Sequence, residues 1–305
     1  MDERVYKLLN WESNDGKIER AVIDIANHDD RKFFWSYWHK NKDYLKANGF
    51  SINKESDAAF FMYHVFTDEQ LRIKKEKEKT KELSRSKTSS IEVPAPDNLD
   101  YFPYQRGGIE FIVNRDATLL GDEPGLGKTL EVAGSINWWN ANKNPIKKAL
   151  IICPASLRIN WKRELDKWLV EKYNVGVVNR SDYPKDADII VINYDVVSKH
   201  YDKLSSIDWD LLVLDEAHYL KNSSSKRTKY IFGNKKNNIS PIKANKKIFL
   251  TGTPMLNRPI ELFPLLHALD SESWPNQWKF AHRYCDAKHN GYGWDFSGAS
   301  NLEEL

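Results

Sequence analysis

Two short runs hold the residue types that chemistry needs. The first is GDEPGLGKT, Gly121 to Thr129, and the second is DEAH, Asp215 to His218. In the first, Gly125 and Gly127 let the backbone fold closely around phosphate oxygens. Lys128 can reach terminal phosphates, and the Thr129 hydroxyl can complete the shell of a Mg²⁺ ion. A strict phosphate-loop pattern wants glycine where this chain has Asp122. Context offsets that departure, because a strand pattern (ATLL) precedes the loop and a helix pattern follows it. The loop residues expected around a nucleotide are Asp122, Gly125, Leu126, Gly127, Lys128, Thr129 and Leu130. In the second run, Asp215 follows an apolar strand pattern, where its carboxylate can hold Mg²⁺ directly or through water. Glu216 can orient or deprotonate an attacking water. His218 can connect the nucleotide to the loop Thr251-Gly252-Thr253. DEAH alone also fits a solvent-facing acidic loop. The two runs together, each after a strand pattern, point to ATP or another nucleoside triphosphate with Mg²⁺.

The elements that must position these residues follow from periodicity. ALIICP, DIIVINYD, DLLVLDEAH and KKIFLTGTP are continuous apolar runs bounded by turns, and VGVVN is a shorter one. Helix patterns separate them. QRGGIEFIV precedes the first strand despite Gly107 and Gly108. Ser156 is expected to cap a helix carrying Leu157, Trp161, Leu165 and Trp168. ELFPLLHAL starts as helix, with Pro264 a local boundary or kink. Apolar strands alternating with helices predict an α/β fold: a mostly parallel sheet with helices on both faces. Ligand loops should then gather at the carboxyl ends of the strands.

The chain has 305 residues, enough for about two domains. We expect residues 1–93 to be a small mixed or mainly helical module with a charged linker, and 94–305 the α/β domain. In the first module RAVIDI reads as a strand, Asp29 or Asp30 as a helix cap, and AAFFMYHVF as apolar core or base-stacking surface. LRIKKEKEKTKELSRSKTSS reads as an exposed, ion-paired linker helix. Net charge is only +3, so the total identifies no partner. The run Lys221 to Lys247 says more. It holds Lys221, Lys226, Arg227, Lys229, Lys235, Lys236, Lys243, Lys246 and Lys247 with no acidic residue. Such density suits a nucleic-acid backbone, and NKKNNISPIKANKK reads as a disordered tip in its absence. Cys153 and Cys285 give no disulfide framework, and Cys285 with His282 and His289 lacks the four ligands of a closed zinc site. No run reaches a membrane span of about 20 apolar residues, and the start lacks a signal-peptide core. An intracellular protein of cytoplasm or nucleus is the plain expectation.

The set YQRGGIEFI, GDEPGLGKT, CPASLRINWKREL, INYD, DEAHYLKN and LTGTPMLNRPIELFPLLHAL resembles superfamily 2 helicases. More narrowly, it is similar to the first RecA-like motor lobe of SWI/SNF-like DNA translocases. The tail FAHRYCDAKHNGYGWDFSGASNLEEL resembles the DNA-annealing branch. The resemblance covers Leu99 to Leu305. It implies adenine recognition by Gln105, with Arg106 beside it, and catalysis by Lys128, Asp215 and Glu216. It implies nucleic-acid contact by Pro154, Ala155, Ser156, Asn193, Tyr194 and Lys221, and coupling by His218, Thr251, Gly252 and Thr253. The family usually has Met where this chain has Pro124, which bears on loop geometry. The resemblance also implies a second RecA-like lobe, absent here and expected downstream or in another chain. The implied activity is DNA-dependent ATP hydrolysis with translocation, remodelling or annealing. An RNA-dependent helicase lobe and a non-hydrolysing nucleotide-binding regulator remain alternatives.

Overall fold

The structure is a computed structural model. It describes residues 10–14, 18–22, 28–47, 49–54, 60–65, 75, 89–252, 258–289, 293–302 and 305. The chain divides into two compact units, Met1–Leu83 and Ser84–Leu305.

The first unit is mixed. Strands β1 (Asn10–Asn14) and β2 (Ile18–Val22) precede helix α1 (His28–Ala47), which is followed by β3 (Phe50–Lys54) and β4 (Phe60–Val65). The strands form one antiparallel sheet in the order β1-β2-β4-β3. Phe34, Trp38 and Leu45 are buried on α1, as their helical spacing requires. The helix begins at His28, so Asp29 and Asp30 fall in its first turn and do not cap it. The charged run after Leu71 lies almost entirely outside the described residues.

The second unit is α/β. Its elements in order are α2 (Pro103–Val113), β5 (Ala117–Leu120), α3 (Lys128–Ala141), β6 (Ala149–Cys153), α4 (Arg158–Trp168), β7 (Val175–Val177), β8 (Ile189–Asn193), α5 (Tyr201–Ser205), β9 (Trp209–Asp215), α6 (Lys226–Phe232), β10 (Ala244–Leu250), α7 (Phe263–Leu269), α8 (Gln277–Tyr284), β11 (Lys288–His289) and β12 (Trp294–Asp295). Strands β5 to β10 form one sheet in the order β5-β10-β9-β6-β8-β7. Every pairing in it is parallel. β11 and β12 make a small separate hairpin.

Successive strand residues serve opposite faces. Ala149, Ile151 and Cys153 join Ile109, Val132, Ile136, Trp161 and Leu165 in one core. Leu150 and Ile152 join Leu204, Leu220, Ile231 and Leu265 in the other. Both faces are covered, which is why these strands read as unbroken apolar runs rather than alternating ones. Ile91 and Val93 already pack on the first of these cores, ahead of the boundary drawn at Pro94 from the sequence. Asn137 pins that approach segment by donating to the Pro94 carbonyl at 3.1 Å and the Tyr101 hydroxyl at 3.1 Å.

Local starts differ from the sequence reading at Ser156 and match it at Pro264, expected as a local boundary. Ser156 does not cap α4; it lies inside a 3-10 turn, Ala155–Leu157, that runs directly into the helix. Pro264 sits in the first turn of α7, where its missing N–H costs nothing, and the preceding Pro259–Glu261 is a 3-10 turn.

Helices α2 and α3 cross closely at Gly134, where an added Cβ would run into the Ile109 side chain and come within 3.1 Å of Tyr101. Gly134→Ala is therefore a competition. Helix propensity favours alanine by about 1 kcal/mol, whereas overpacking a filled core costs about 1–3 kcal/mol. Packing should win, and urea unfolding of the variant is expected to show a net loss of stability.

Candidate nucleotide and metal site

Parallel register brings the site together. Leu250 at the end of β10 pairs with Leu120 of β5 on one side and Asp215 of β9 on the other. Cys153 at the end of β6 pairs with Asn193 of β8. The segments following these strand ends therefore leave one edge of the sheet, as the sequence reading expects.

The 121–127 turn carries two left-handed residues, Gly125 at φ 89° and Gly127 at φ 88°. Their reasons differ. A Cβ on Gly125 would meet nothing within 4 Å, while one on Gly127 would lie 2.5 Å from the Gln105 amide nitrogen. Gln105 is buried and bridges two elements. Its Oε1 accepts from the Phe102 N–H at 3.0 Å, and its Nε2 donates to the Leu126 carbonyl at 3.2 Å. It thus ties the start of α2 to the glycine turn. Lys128 Nζ donates to the carbonyls of Asp122 at 2.6 Å and Glu123 at 3.0 Å, so the ammonium lies across the loop mouth.

Lys128, Thr129 and Leu130 share one open cleft with Asp215 and Glu216. Its volume is about 280 Å³. Pro124, Gly125 and Gly127 complete the near side. The far side includes Leu157, Asn160, Trp161 and Glu164, which the sequence reading did not assign to the site. Their signal was present, since 160, 161 and 164 share one stripe of α4 at helical spacing and 157 directly precedes that helix. Only the fold reveals that the stripe faces the acids.

Asp215 is buried and held on three sides. Trp161 Nε1–H donates to its Oδ2 at 2.8 Å, the Glu216 N–H donates to its Oδ1 at 2.9 Å, and the Tyr194 hydroxyl donates to its carbonyl at 2.7 Å. Burial pushes the Asp215 carboxyl above the usual carboxylate range, opposed by the Trp161 hydrogen bond. A divalent cation bound beside it would favour the charged form of this buried group. Glu216 has φ 51°, an uncommon angle for a residue with a side chain, so the chain turns sharply just after the strand. His218 Nδ1 lies 3.2 Å from Glu216 Oε2 and 3.3 Å from Thr251 Oγ1. Gly252 abuts Pro124, bringing the end of β10 against the glycine turn. Thr253 and Pro254 lie outside the described residues.

One buried acid stands behind the loop. Glu131, one turn into α3, is fully buried, and neither carboxylate oxygen has a hydrogen-bond partner. Burial, reinforced by Asp122 and opposed by Lys128, pushes it up to about 8.

Several sequence assignments change. Arg106 does not line the cleft; it pairs with Asp100 at 2.6 Å and bonds the Tyr101 carbonyl. Asn193 and Tyr194, read as nucleic-acid contacts, are buried, and the Tyr194 hydroxyl is committed to Asp215. The exposed ring at this place is Tyr219, stacked on Tyr194 with Arg227 above it at 5.3 Å. Lys221 is paired with Glu261 at 3.3 Å. Ala155 and Ser156 are exposed at the sheet edge, and Pro154 is half-buried.

The basic run is not one surface. Lys226, Arg227 and Lys229 lie on α6, soon after the DEAH turn. Lys246 and Lys247 instead lie within β10, beside Leu211 and Leu212, toward the opposite end of the sheet from Asp215. Lys246 pairs with Asp116 at 3.1 Å, and Lys247 donates to the Ala268 carbonyl at 2.7 Å. The segment read as a disordered tip is folded: Lys235–Asn237 is a 3-10 turn closed by a bridge between Asn234 and Ile239.

A six-stranded parallel sheet with a glycine turn and paired acids at its carboxyl edge is a RecA-like nucleotide-binding lobe. The SNF2-related domain family matches residues 104–293, and the chain belongs to that family. It is 34% identical over 229 residues to the SWI/SNF-related matrix-associated actin-dependent regulator of chromatin subfamily A-like protein 1 of Xenopus tropicalis, covering 73% of this chain and 23% of that protein. It is 34% identical over 229 residues to the human DNA annealing helicase and endonuclease ZRANB3, covering 69% and 20%. The Sulfolobus solfataricus SWI2/SNF2 ATPase core, solved with double-stranded DNA, superposes with TM-score 0.54 at 26% identity, covering 64% of this chain and 41% of that one. The chain thus spans about a fifth to a quarter of these two curated relatives. Family membership implies binding of ATP and Mg²⁺. Among the described residues, no helix is long and apolar enough to cross a membrane.

The two loop glycines separate two costs. Gly125→Ala meets only the left-handed backbone penalty, roughly 1–2 kcal/mol. Gly127→Ala adds a collision with Gln105 and should displace the loop. Calorimetric titration with Mg²⁺–ATP is expected to show the larger loss of affinity for Gly127→Ala.

Proposed function

We propose that the chain is the ATP-binding lobe of a DNA-dependent ATPase that translocates on, remodels or anneals DNA. The observation that carries this reading is the convergence of Lys128 and Thr129 with Asp215 and Glu216 on one cleft. The loop amides and Lys128 bind the phosphates. Thr129 and Asp215 hold Mg²⁺, which when bound draws charge from the phosphate oxygens. Glu216 orients the attacking water and takes its proton. Gln105 holds the loop in shape from behind, with both ends of its amide committed to the chain. His218 links Glu216 to Thr251, so the acid and the end of β10 move together.

The DNA assignment draws support from the relatives and from the charge on α6. Ala155 and Ser156 meet the backbone of one strand, and Lys226, Arg227 and Lys229 add phosphate contacts. A second RecA-like lobe, in the same or another chain, closes the open side of the cleft and completes turnover. That the chain covers 41% of the S. solfataricus ATPase core is in keeping with this arrangement.

With the second lobe supplied, ATP hydrolysis should rise with duplex DNA more than with RNA at matched salt. Lys128→Ala should lose about 10–100-fold in ATP affinity, the equivalent of one charged hydrogen bond. Glu216→Gln should keep binding and lose about 10²–10⁴-fold in turnover. Unchanged stimulated hydrolysis in both variants overturns the site.

Neutralising Lys226, Arg227 and Lys229 together should reduce the slope of log affinity against log salt for duplex DNA by about 2–3. Neutralising Lys246 and Lys247 should leave that slope unchanged, because they sit at the other end of the sheet.

A further inference from the structure

Trp161 is a core residue with one polar atom, and that atom is spent on the acid at the heart of the cleft. The indole is 1% exposed and packs among Leu165, Val132 and their neighbours. Packing alone would be satisfied by any large apolar ring. The Nε1–H, however, meets Asp215 Oδ2 at 2.8 Å, while Oδ1 is held by the Glu216 N–H at 2.9 Å. The two donors leave the carboxylate little freedom to rotate. Its remaining lone pairs are therefore aimed before any cation arrives. A donor behind a metal ligand sets the orientation of the ligand and lowers the cost of binding the ion.

Trp161 also has a fixed mechanical connection to an exposed surface. The 3-10 turn Ala155–Leu157 continues into α4 with no intervening residue. Arg158 locks this junction by donating to the Ala155 carbonyl at 3.2 Å and to the carbonyl of Val178, just past β7, at 2.7 Å. Ser156 and Trp161 are five residues apart, roughly 8 Å at helical rise. Ala155 and Ser156 are exposed, as is Asn160, which also lines the cleft. A load applied at the turn has no flexible linker in which to dissipate before it reaches the indole.

We propose that Trp161 is a positioning residue that orients Asp215 toward Mg²⁺ and transmits contact at the Ala155–Ser156 turn to that carboxylate. This rests on the nucleotide and DNA reading given above. In that reading the polymer and the metal are sensed by two ends of one short rigid segment, and the indole hydrogen bond is the joint. Polymer on the turn then tightens the metal site without touching it.

The test uses Trp161→Phe, which keeps a buried ring and removes the donor. Binding of a non-hydrolysable ATP analogue is titrated with Mg²⁺, with and without duplex DNA. The variant is expected to keep its Mg²⁺-free affinity within about twofold and to need about 10-fold more Mg²⁺ at the midpoint. Duplex DNA should lower the Mg²⁺ midpoint of the wild-type chain and leave that of the variant unmoved. A folded variant with the wild-type Mg²⁺ midpoint reduces Trp161 to packing and overturns the proposal. A DNA effect of equal size in both chains overturns transmission through the indole. Lys128→Ala is measured alongside: if it binds the analogue as wild type does, the nucleotide reading itself fails, whatever Trp161 does. Should Trp161→Phe unfold, the wild-type chain still decides. Its assigned Trp161 indole ¹H–¹⁵N resonance should shift when Mg²⁺ joins the bound analogue, and again with duplex DNA. A resonance indifferent to Mg²⁺ overturns the proposal.

Discussion

Parallel register is the constraint on which the rest depends. Because Leu250 lies beside both Leu120 and Asp215, the glycine turn, the acidic turn and the Thr251 loop must all leave the sheet at one edge. An antiparallel pairing of the same strands would send alternate loops to opposite ends and scatter these groups. Parallel pairing has its own requirement. Each crossover needs a helix, and helices on both sides bury both faces. The two cores, one gathered around Trp139 and Trp161 and the other around Trp209 and Phe249, meet that requirement.

The cleft concentrates unfavourable choices that the surrounding core holds in place. Glu216 takes a left-handed backbone angle, Asp215 is a buried carboxylate, and Glu131 is a buried acid without a partner. Each costs stability by itself. The hydrogen bonds from Trp161, the Glu216 amide and Tyr194 offset part of this at Asp215. No such hydrogen bond reaches the Glu131 carboxyl, and burial pushes it up to about 8. Buried polar groups of this kind cluster where a site must be shaped before its ligand arrives.

Much of this was legible in the residue order. The strands, the glycine turn and the acids declare themselves by local pattern, because a buried parallel strand needs a continuous apolar run and a phosphate loop needs glycines before lysine. The errors came from features with no local signature. Asn193 and Tyr194 were assigned by resemblance, yet Asn193 ends an inner strand, Tyr194 opens the 3-10 turn after it, and both are buried. The basic run looked like one patch because charge was counted along the chain, whereas the chain crosses from one end of the sheet to the other between α6 and β10. Ser156 looked like a cap because serine commonly caps, but a 3-10 turn entered the helix first.

Sequence by itself determined the fold class, the strands of the parallel sheet, and the chemical types at the loop and at the acids, since these rest on interactions between near neighbours. Tertiary structure alone decided that Trp161 would meet Asp215, that Gln105 would brace the glycine turn, and that Arg106 would pair with Asp100. Those outcomes depend on how α2 and α4 lie against the sheet. That placement is set by packing among residues far apart in the chain, and no local pattern encodes it.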